Sequence, residues 1–328
     1  MTAKRFLPFT LSAVVLLAGL LGCSPSEHSG KEFVYVGVMR DPAMDLDPWI
    51  LSAIGAFEAK RMRTSDGRQV LVSTVETRFD RMRESLGWLP PRIEIVILNS
   101  SFEKHAYPEL ESQIPRVQLG HSALVLATSD KKAAQQIASL GYSVSSLLEV
   151  ASKGRIRIAQ PEPSQDSVGL AALILEGYSF GALPRDGGAV IDQKAVQLFR
   201  LLKKTAVFPD FSVEPQVGQW DVALMSDIRC SDLIERGHSI EATYPKEGTL
   251  LLDYPLFIPD WVEGDEKEAA EMFLDFLESS EMQAQKNSLL GKNMCAVDKG
   301  PPQFLDPPGP AVVRKMLDAW SAVDKGAP

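Results

Sequence analysis

Short apolar runs alternate along the chain with segments of helical periodicity. Phe33 to Val38 is an apolar strand of the kind that begins a parallel sheet. It opens into a turn-rich stretch, Met39 to Pro48, where Asp47 before Pro48 predicts a helix start with an N-cap acid and proline at the first helical position. Ile50, Ile54 and Phe57 mark the buried face of that helix. Gln69 to Val75 reads as a second strand and Arg78 to Leu86 as a helix. After Pro90-Pro91, Ile93 to Leu98 is a near-continuous apolar run, the mark of a strand covered on both faces, and it ends in Asn99-Ser100-Ser101. This β-α-β-α-β order predicts a doubly wound α/β lobe. Ligands in such sheets gather beyond the carboxyl ends of the strands, so the loops 39–47 and 99–102 are expected at one edge.

Val117 to Thr128 is predicted as one long strand, able to pass from one lobe to another. Helices are expected over Lys131 to Leu140 and Val144 to Ser152, then a short strand over Arg155 to Ala159. Pro161 and Pro163 next force an extended turn, since neither can donate to a ladder and each restricts its predecessor. Ser164, Asp166 and Ser167 follow, all good N-cap residues, ahead of Leu170, Leu173, Ile174 and Tyr178 at helical spacing. A strand thus runs through a hydroxyl-rich loop into the first turn of a helix. Free N–H groups and the positive end of the helix dipole make that a seat for a small polar or anionic ligand, with an ordinary capped helix as the alternative. Gln193 to Lys204 is helical, and Trp220 to Met225 is a buried strand that stops at Ser226-Asp227. Ser239 to Thr243 leads into Tyr244 to Pro255, a second candidate crossing. Glu266 to Glu278 is an amphipathic helix, and a last helix from Pro310 carries Val313, Met316, Leu317 and Trp320.

Composition narrows the function. The 328 residues are 45% hydrophobic, enough for two modest cores or one large one. The formal net charge of -9, with scattered basic residues, leaves no nucleic-acid footprint. Lys4 and Arg5 precede an apolar run from Phe6 to Leu21 that is too short for a convincing spanning helix. The run ends in Leu20-Leu21-Gly22-Cys23, which resembles the lipobox of bacterial lipoproteins. Residues 1–22 are therefore expected to be a signal peptide, Cys23 to be lipidated, 23–32 to be a tether, and the protein to sit in the cell envelope on a lipid anchor. In that oxidising compartment Cys230 and Cys295 either form a disulfide or remain two thiols.

No chemistry-bearing motif replaces this picture. The four histidines lie far apart, C-x-x-C is absent, and Asp41, Asp45 and Asp47 lack the glycine and distal glutamate of a calcium loop. Neither a metal nor a cofactor is expected. Gly-x-Ser-x-Gly, the P-loop and the dinucleotide glycine fingerprint are all missing, so the chain is read as non-enzymatic, with a hydrolase as a minor alternative.

A resemblance emerges from the later residues. Tyr244-Pro245 before Gly248-Thr249, the run to Tyr254-Pro255, the helix with Ala269-Ala270, Phe273 and Phe276-Leu277, and then Ser279-Ser280-Glu281 and Gln283 resemble bacterial extracellular solute-binding proteins. The branch is the type 2 periplasmic-binding-protein fold often found beside von Willebrand type A domains. The stretch Pro161…Ser164…Ser167…Gly169-Leu170 is similar to that family's serine-rich loop. The resemblance implies two doubly wound α/β lobes joined by a two-crossing hinge, lobe I being 33–122 plus 243–328 and lobe II 123–242. It implies a monomer that captures a small polar solute or oxyanion between the lobes for an ABC-type permease. The residues expected at the ligand are Arg40, the one well-placed cation, with Asn99, Ser100, Ser101, Ser164, Ser167 and Tyr244. An envelope protein-interaction module with a vestigial cleft is the other reading. Met39-Arg40 keeps it open, because it stands where the family carries Ser or Thr.

Overall fold

The computed structural model describes residues 32–88, 93–183, 191–209, 217–290 and 302–324. Cys23, Cys295 and the leader lie outside them. The first strand, β1 (Phe33–Arg40), buries Val34, Val36, Val38 and Met39, then leads to the helix Asp47–Ala59. β2 (Gln69–Glu76) returns parallel to β1, in register from Phe33 opposite Gln69 to Arg40 opposite Glu76. After the helix Phe79–Trp88, β3 (Ile95–Ile97) pairs parallel on the other side of β1. The helix Asp47–Ala59 buries Trp49, Ile50, Ala53, Ile54 and Phe57, and Phe57 meets Phe273 and Phe276 edge-on at 5.2 and 5.4 Å.

Asp47 is not the N-cap that the sequence suggests. Leu46 holds that position, without a side-chain cap, and the Asp47 carboxylate turns to the Arg40 guanidinium. A buried cation needs its counter-charge more than a helix end open to other partners needs a cap.

The expected single strand over 117–128 is two. A 3-10 turn (Glu103–Ala106) and the short helix Pro108–Glu111 lead to β4 (Val117–Gln118), and β5 (Ser122–Thr128) follows. The break at 119–121 is where the chain leaves one sheet for another, because β4 and β5 are hydrogen-bonded to different neighbours. The helices Lys131–Ser139 and Val144–Ser152 then precede β6 (Ile158–Ala159), followed by the helices Ser167–Ser179 and Gln193–Thr205 and by β7 (Ala206–Val207). β8 (Val222–Ser226), the helix Asp227–Glu235, β9 (Glu241–Thr243) and β10 (Leu251–Leu252) complete this second sheet. The chain returns to the first sheet at β11 (Pro255–Phe257), which lies antiparallel between β3 and β4.

Two mixed sheets result, ordered β2-β1-β3-β11-β4 and β10-β5-β8-β6-β7, with β9 also on β5. The two passages between them, 119–121 and 253–254, are tied together, since Leu119 N donates to Tyr254 O at 3.0 Å. Between β9 and β10, Gly248 has φ of 105° and its backbone faces the Gln303 carbonyl, so a side chain there would be strained and crowded.

The helices Gly264–Glu278, Ser280–Leu290 and Pro310–Asp324 close the chain. The last one touches elements of both sheets. Trp320 packs edge-on to Phe199 and Phe208, both at 5.7 Å, with Lys203 Nζ 4.0 Å above its ring, while Arg314 pairs with Glu111.

The helix Ser167–Ser179 is buried on nearly every side, and it carries Glu176 at 0% exposure. Burial pushes this carboxyl from an ordinary 4.5 up to about 8, opposed only by the amide of Gln160, which donates to it at 3.2 Å. An acid whose folded-state pKa is raised stabilises the fold fully below its unfolded value, and the contribution fades as pH climbs through about 8. The melting temperature is therefore expected to fall between pH 5 and pH 8. Glu176→Gln, which keeps the neutral shape, should melt a few degrees higher than wild type at pH 8, corresponding to about 1 kcal/mol or more. Calorimetry across that range checks it, and an unchanged slope in Glu176→Gln would place the pH dependence elsewhere.

Candidate functional site

Parallel pairing of β1 with β3 sets their carboxyl ends side by side, so the loop 41–47 and the residues Asn99 to Ser101 share one edge of the first sheet. The loop 161–166 after β6 and the end of β8 at Ser226 face them from the second sheet. They meet in a narrow cleft of about 20 Å3 bordered by Asp45, Pro161, Asp166, Met225, Ser226 and Arg229. Beside Ser164 and Gln165 of the same loop lies a larger chamber of about 230 Å3, also bordered by Phe79, Asp80, Tyr107 and Leu317.

Asp45 is the hub of the smaller cleft. Its carboxylate accepts from Ser226 Oγ at 2.5 Å and from the Tyr254 hydroxyl at 3.0 Å, and Arg229 Nε stands 3.8 Å away. A loop of the first sheet, a strand end of the second and the passage between the sheets thus converge on one side chain. A second link joins the sheets directly, where Asn99 Nδ2 donates to Ser167 Oγ at 2.5 Å.

Asp166 takes the place the sequence reading left for a ligand. It is the N-cap of the helix Ser167–Ser179, accepting from Val168 N at 2.7 Å and Gly169 N at 3.3 Å. The backbone donors that would have greeted an oxyanion are occupied by the protein's own carboxylate. The approach is tight because Gly169 has no side chain, and a Cβ there would collide with the Pro161 carbonyl.

The predicted residues divide into three groups. Asn99, Ser100 and Ser167 do come together, buried at the meeting of the two sheets. Ser101 turns away from the cleft to Asp253, which takes both its hydroxyl and its N–H. Ser164 borders the larger chamber, and its hydroxyl donates to Glu162 at 2.9 Å. Tyr244 is half-buried against a small second core containing Val125, Trp220 and Cys230, and it borders neither cavity. Arg40 is the clearest departure from expectation. It is 0% exposed and paired with Asp47 and, at 2.9 Å, with Glu76, so its charge is committed inside the first sheet's core rather than to a cleft.

Arg229, Asp45 and Asp166 are the charged residues the sequence reading did not assign to the site. A signal existed for Arg229, one turn into the helix that Ser226 caps, with Ser226 Oγ accepting from its N–H at 3.1 Å. For Asp45 no local pattern could have supplied it, since its partners lie 181 and 209 residues away.

Carboxylates crowd this region, and their proton affinities rise accordingly. Burial lifts Asp41 to about 6, Asp166 to about 7 and Glu103 to about 8, and the charge of Asp41 adds to the rise of the other two. Asp227, which accepts from Ser122 Oγ at 2.6 Å, is raised as well, mainly by burial. Hydrogen bonds from Ala43 N and Phe79 N pull Asp41 back down, and the exposed Arg78 does the same.

Comparison with curated protein sequences found no match. Among solved structures, the chain superposes on a putative spermidine/putrescine ABC transporter protein from Listeria monocytogenes with a TM-score of 0.61 at 14% identity, covering 89% of this chain and 98% of that one. The binding protein AfuA from Actinobacillus pleuropneumoniae gives 0.58 at 14% identity, over 90% and 98%. Iron-bound HitA from Pseudomonas aeruginosa gives 0.57 at 15% identity, over 89% and 99%. At these identities the likeness is one of fold, that of the type 2 periplasmic binding proteins. The family model for bacterial extracellular solute-binding proteins matches residues 94–287. That span includes Asn99 to Ser101 of the first sheet, the strand-end loops of the second, both passages between the sheets and the helix Gly264–Glu278, while the Asp45 loop precedes it, and with it the chain belongs to the bacterial extracellular solute-binding protein family.

Proposed function

We propose that this protein captures a small polar solute between two lobes, without transforming it, and hands it to an ABC-type membrane permease. Lobe I is residues 33–122 with 243–328 and lobe II is 123–242, and the protein works as a monomer. The observation that carries the reading is the convergence of strand ends from two sheets on one cleft, with Asp45 and Asn99 of the first bonded to Ser226 and Ser167 of the second. In such an arrangement closure removes solute from water and places it against donors and acceptors held by both halves. The structural relatives are described with a polyamine, a sugar phosphate and iron. The fold thus accommodates several chemistries, and selection rests with the side chains that line the space between the two sheets.

The same reading places the protein in the cell envelope. Among the described residues no helix is long and apolar enough to cross a membrane. Attachment would come from lipid on Cys23, after cleavage behind Leu20-Leu21-Gly22. Cys23→Ser should shift the protein from the membrane fraction to the soluble fraction, with a mature mass lacking lipid. Unchanged fractionation and mass would end the lipoprotein reading.

Closure is testable through Asp45. Bonds to a charged acceptor contribute about 1.5–3 kcal/mol each, so Asp45→Ala removes much of what holds the two lobes together. The variant is expected to stay folded, to show a larger radius of gyration by small-angle scattering, and to bind solute more weakly. An identical scattering curve would show that Asp45 does not hold the lobes. For the solute itself, native mass spectrometry of gently purified protein should reveal a small molecule bound one to one. A protein that carries none, and whose melting responds to no anion, sugar, amino acid or amine, would instead support the envelope-interaction reading.

A further inference from the structure

The charges and rings around the cleft bear on the class of solute, an inference that rests on the solute-binding reading above. The arginines and the lysine set around the site are already paired. Arg40 is held by Asp47 and Glu76, Arg229 lies within 3.9 Å of both Asp45 and Asp232, and Lys203 sits over Trp320 with Glu162 at 3.8 Å. The N-terminus of the helix Ser167–Ser179 at the cleft is filled by Asp166, and that of Asp227–Glu235 is capped by Ser226. An oxyanion would compete there with the protein's own caps and with the carboxylates beside Arg229.

The larger chamber offers the opposite chemistry. Its volume of about 230 Å3 suits a small molecule and lies a little below the usual ligand-pocket range of roughly 300–1,000 Å3. One wall is the edge-on pair Phe79 and Tyr107, with ring centroids 5.8 Å apart, and Leu317 extends the apolar surface. Asp80 stands exposed at its border, and among the described residues it has no ion-pair partner, since its carboxylate accepts only from Arg81 N at 2.9 Å. Ser164 and Gln165 add acceptor oxygens on the facing side. A wall of buried apolar side chains, an exposed carboxylate and neutral acceptors together suit an ammonium group on a hydrocarbon body.

We propose that the solute is a small organic cation, an amine or ammonium compound, seated in the larger chamber with its charge at Asp80 and its carbon skeleton against Phe79, Tyr107 and Leu317.

The test is calorimetric titration of the purified protein at low ionic strength with putrescine, spermidine and choline, set against sulfate, phosphate, succinate and glucose. At least one amine is expected to bind, more weakly as salt is raised. Asp80→Asn should weaken that binding about three- to tenfold, because a partly exposed charge pair is worth of order 1 kcal/mol. Phe79→Leu, which keeps an apolar wall and loses the ring face, should weaken it by a similar factor. Binding of an anion or of glucose with no response to any amine would overturn the inference while leaving the solute-binding reading intact. Amine binding at full affinity in both variants would overturn the seat. Asp80 is exposed, so Asp80→Asn decides even where Phe79→Leu fails to fold. Absence of binding by every probe, with no small molecule carried from the cell, would remove the solute-binding reading and this inference together.

Discussion

The link between the two sheets of this molecule depends on the Asp45 carboxylate. A carboxylate has room for about four donors, and this one serves Ser226, Tyr254 and Arg229 from two different parts of the fold. Tyr254 occupies the passage between the sheets with φ of 44°, a left-handed conformation that costs a non-glycine residue free energy. Its N–H donates to the Asn99 carbonyl at 3.1 Å and its hydroxyl to Asp45, so contacts at both ends hold the residue in that conformation. Asp253 beside it accepts from Ser101 and from Gln118 at 2.9 Å. The passage is therefore clamped to the first sheet on one side and poised against the second on the other, the mechanical requirement for a hinge that moves as a unit.

The acidic character of the region follows from the same geometry. Strand-end loops converge from two sheets, and each brings a carboxylate that caps a helix or tightens a turn: Asp41 for the start of the helix Phe79–Trp88, Asp166 for Ser167–Ser179, Asp227 for the tie to Ser122. Each is locally justified, and burial at the meeting of the sheets raises the proton affinity of Asp41, Asp166 and Glu103, with repulsion from neighbouring carboxylates adding to it. Arg40 and Arg229 do not discharge the cluster, because their partners are Asp47, Glu76 and Asp232 as well as Asp45. Local capping needs thus leave a cleft whose field favours positive charge.

Much of the fold was legible in the sequence because its signals are local. Periodicity locates the helices Asp47–Ala59, Gln193–Thr205 and Gly264–Glu278, and apolar runs locate β1 and β8, since burial of one stripe or of both faces writes itself into consecutive residues. Where β4 gives way to β5, Gly120-His121 interrupts the apolar run, a breaker signal that the expectation of one strand over 117–128 passed over, and the hydrogen-bonding partner changes there. The site was legible only in outline. Loops at strand ends could be named, and Asn99, Ser100 and Ser167 do meet, because chain order and parallel pairing dictate which edge they share. Which side chains face the cavity depends on partners more than a hundred residues away, as Asp45 with Ser226 and Ser101 with Asp253 both show.

The internal partners found at Arg40 and at the Ser167 helix start have one physical cause. A cation at a strand end and a hydroxyl-rich helix N-terminus each attract a carboxylate, and the sequence offers no way to tell a ligand's carboxylate from the protein's own. Asp47 and Asp166 lie seven residues after Arg40 and one before Ser167, so intramolecular partners were present at high effective concentration before any solute could arrive. Having met those demands internally, the chain leaves for its solute an apolar chamber walled by Phe79 and Tyr107, with a carboxylate at its border that has no ion-pair partner among the described residues. In a protein whose strand ends are this well supplied with their own caps, specificity is found in the groups the fold does not consume.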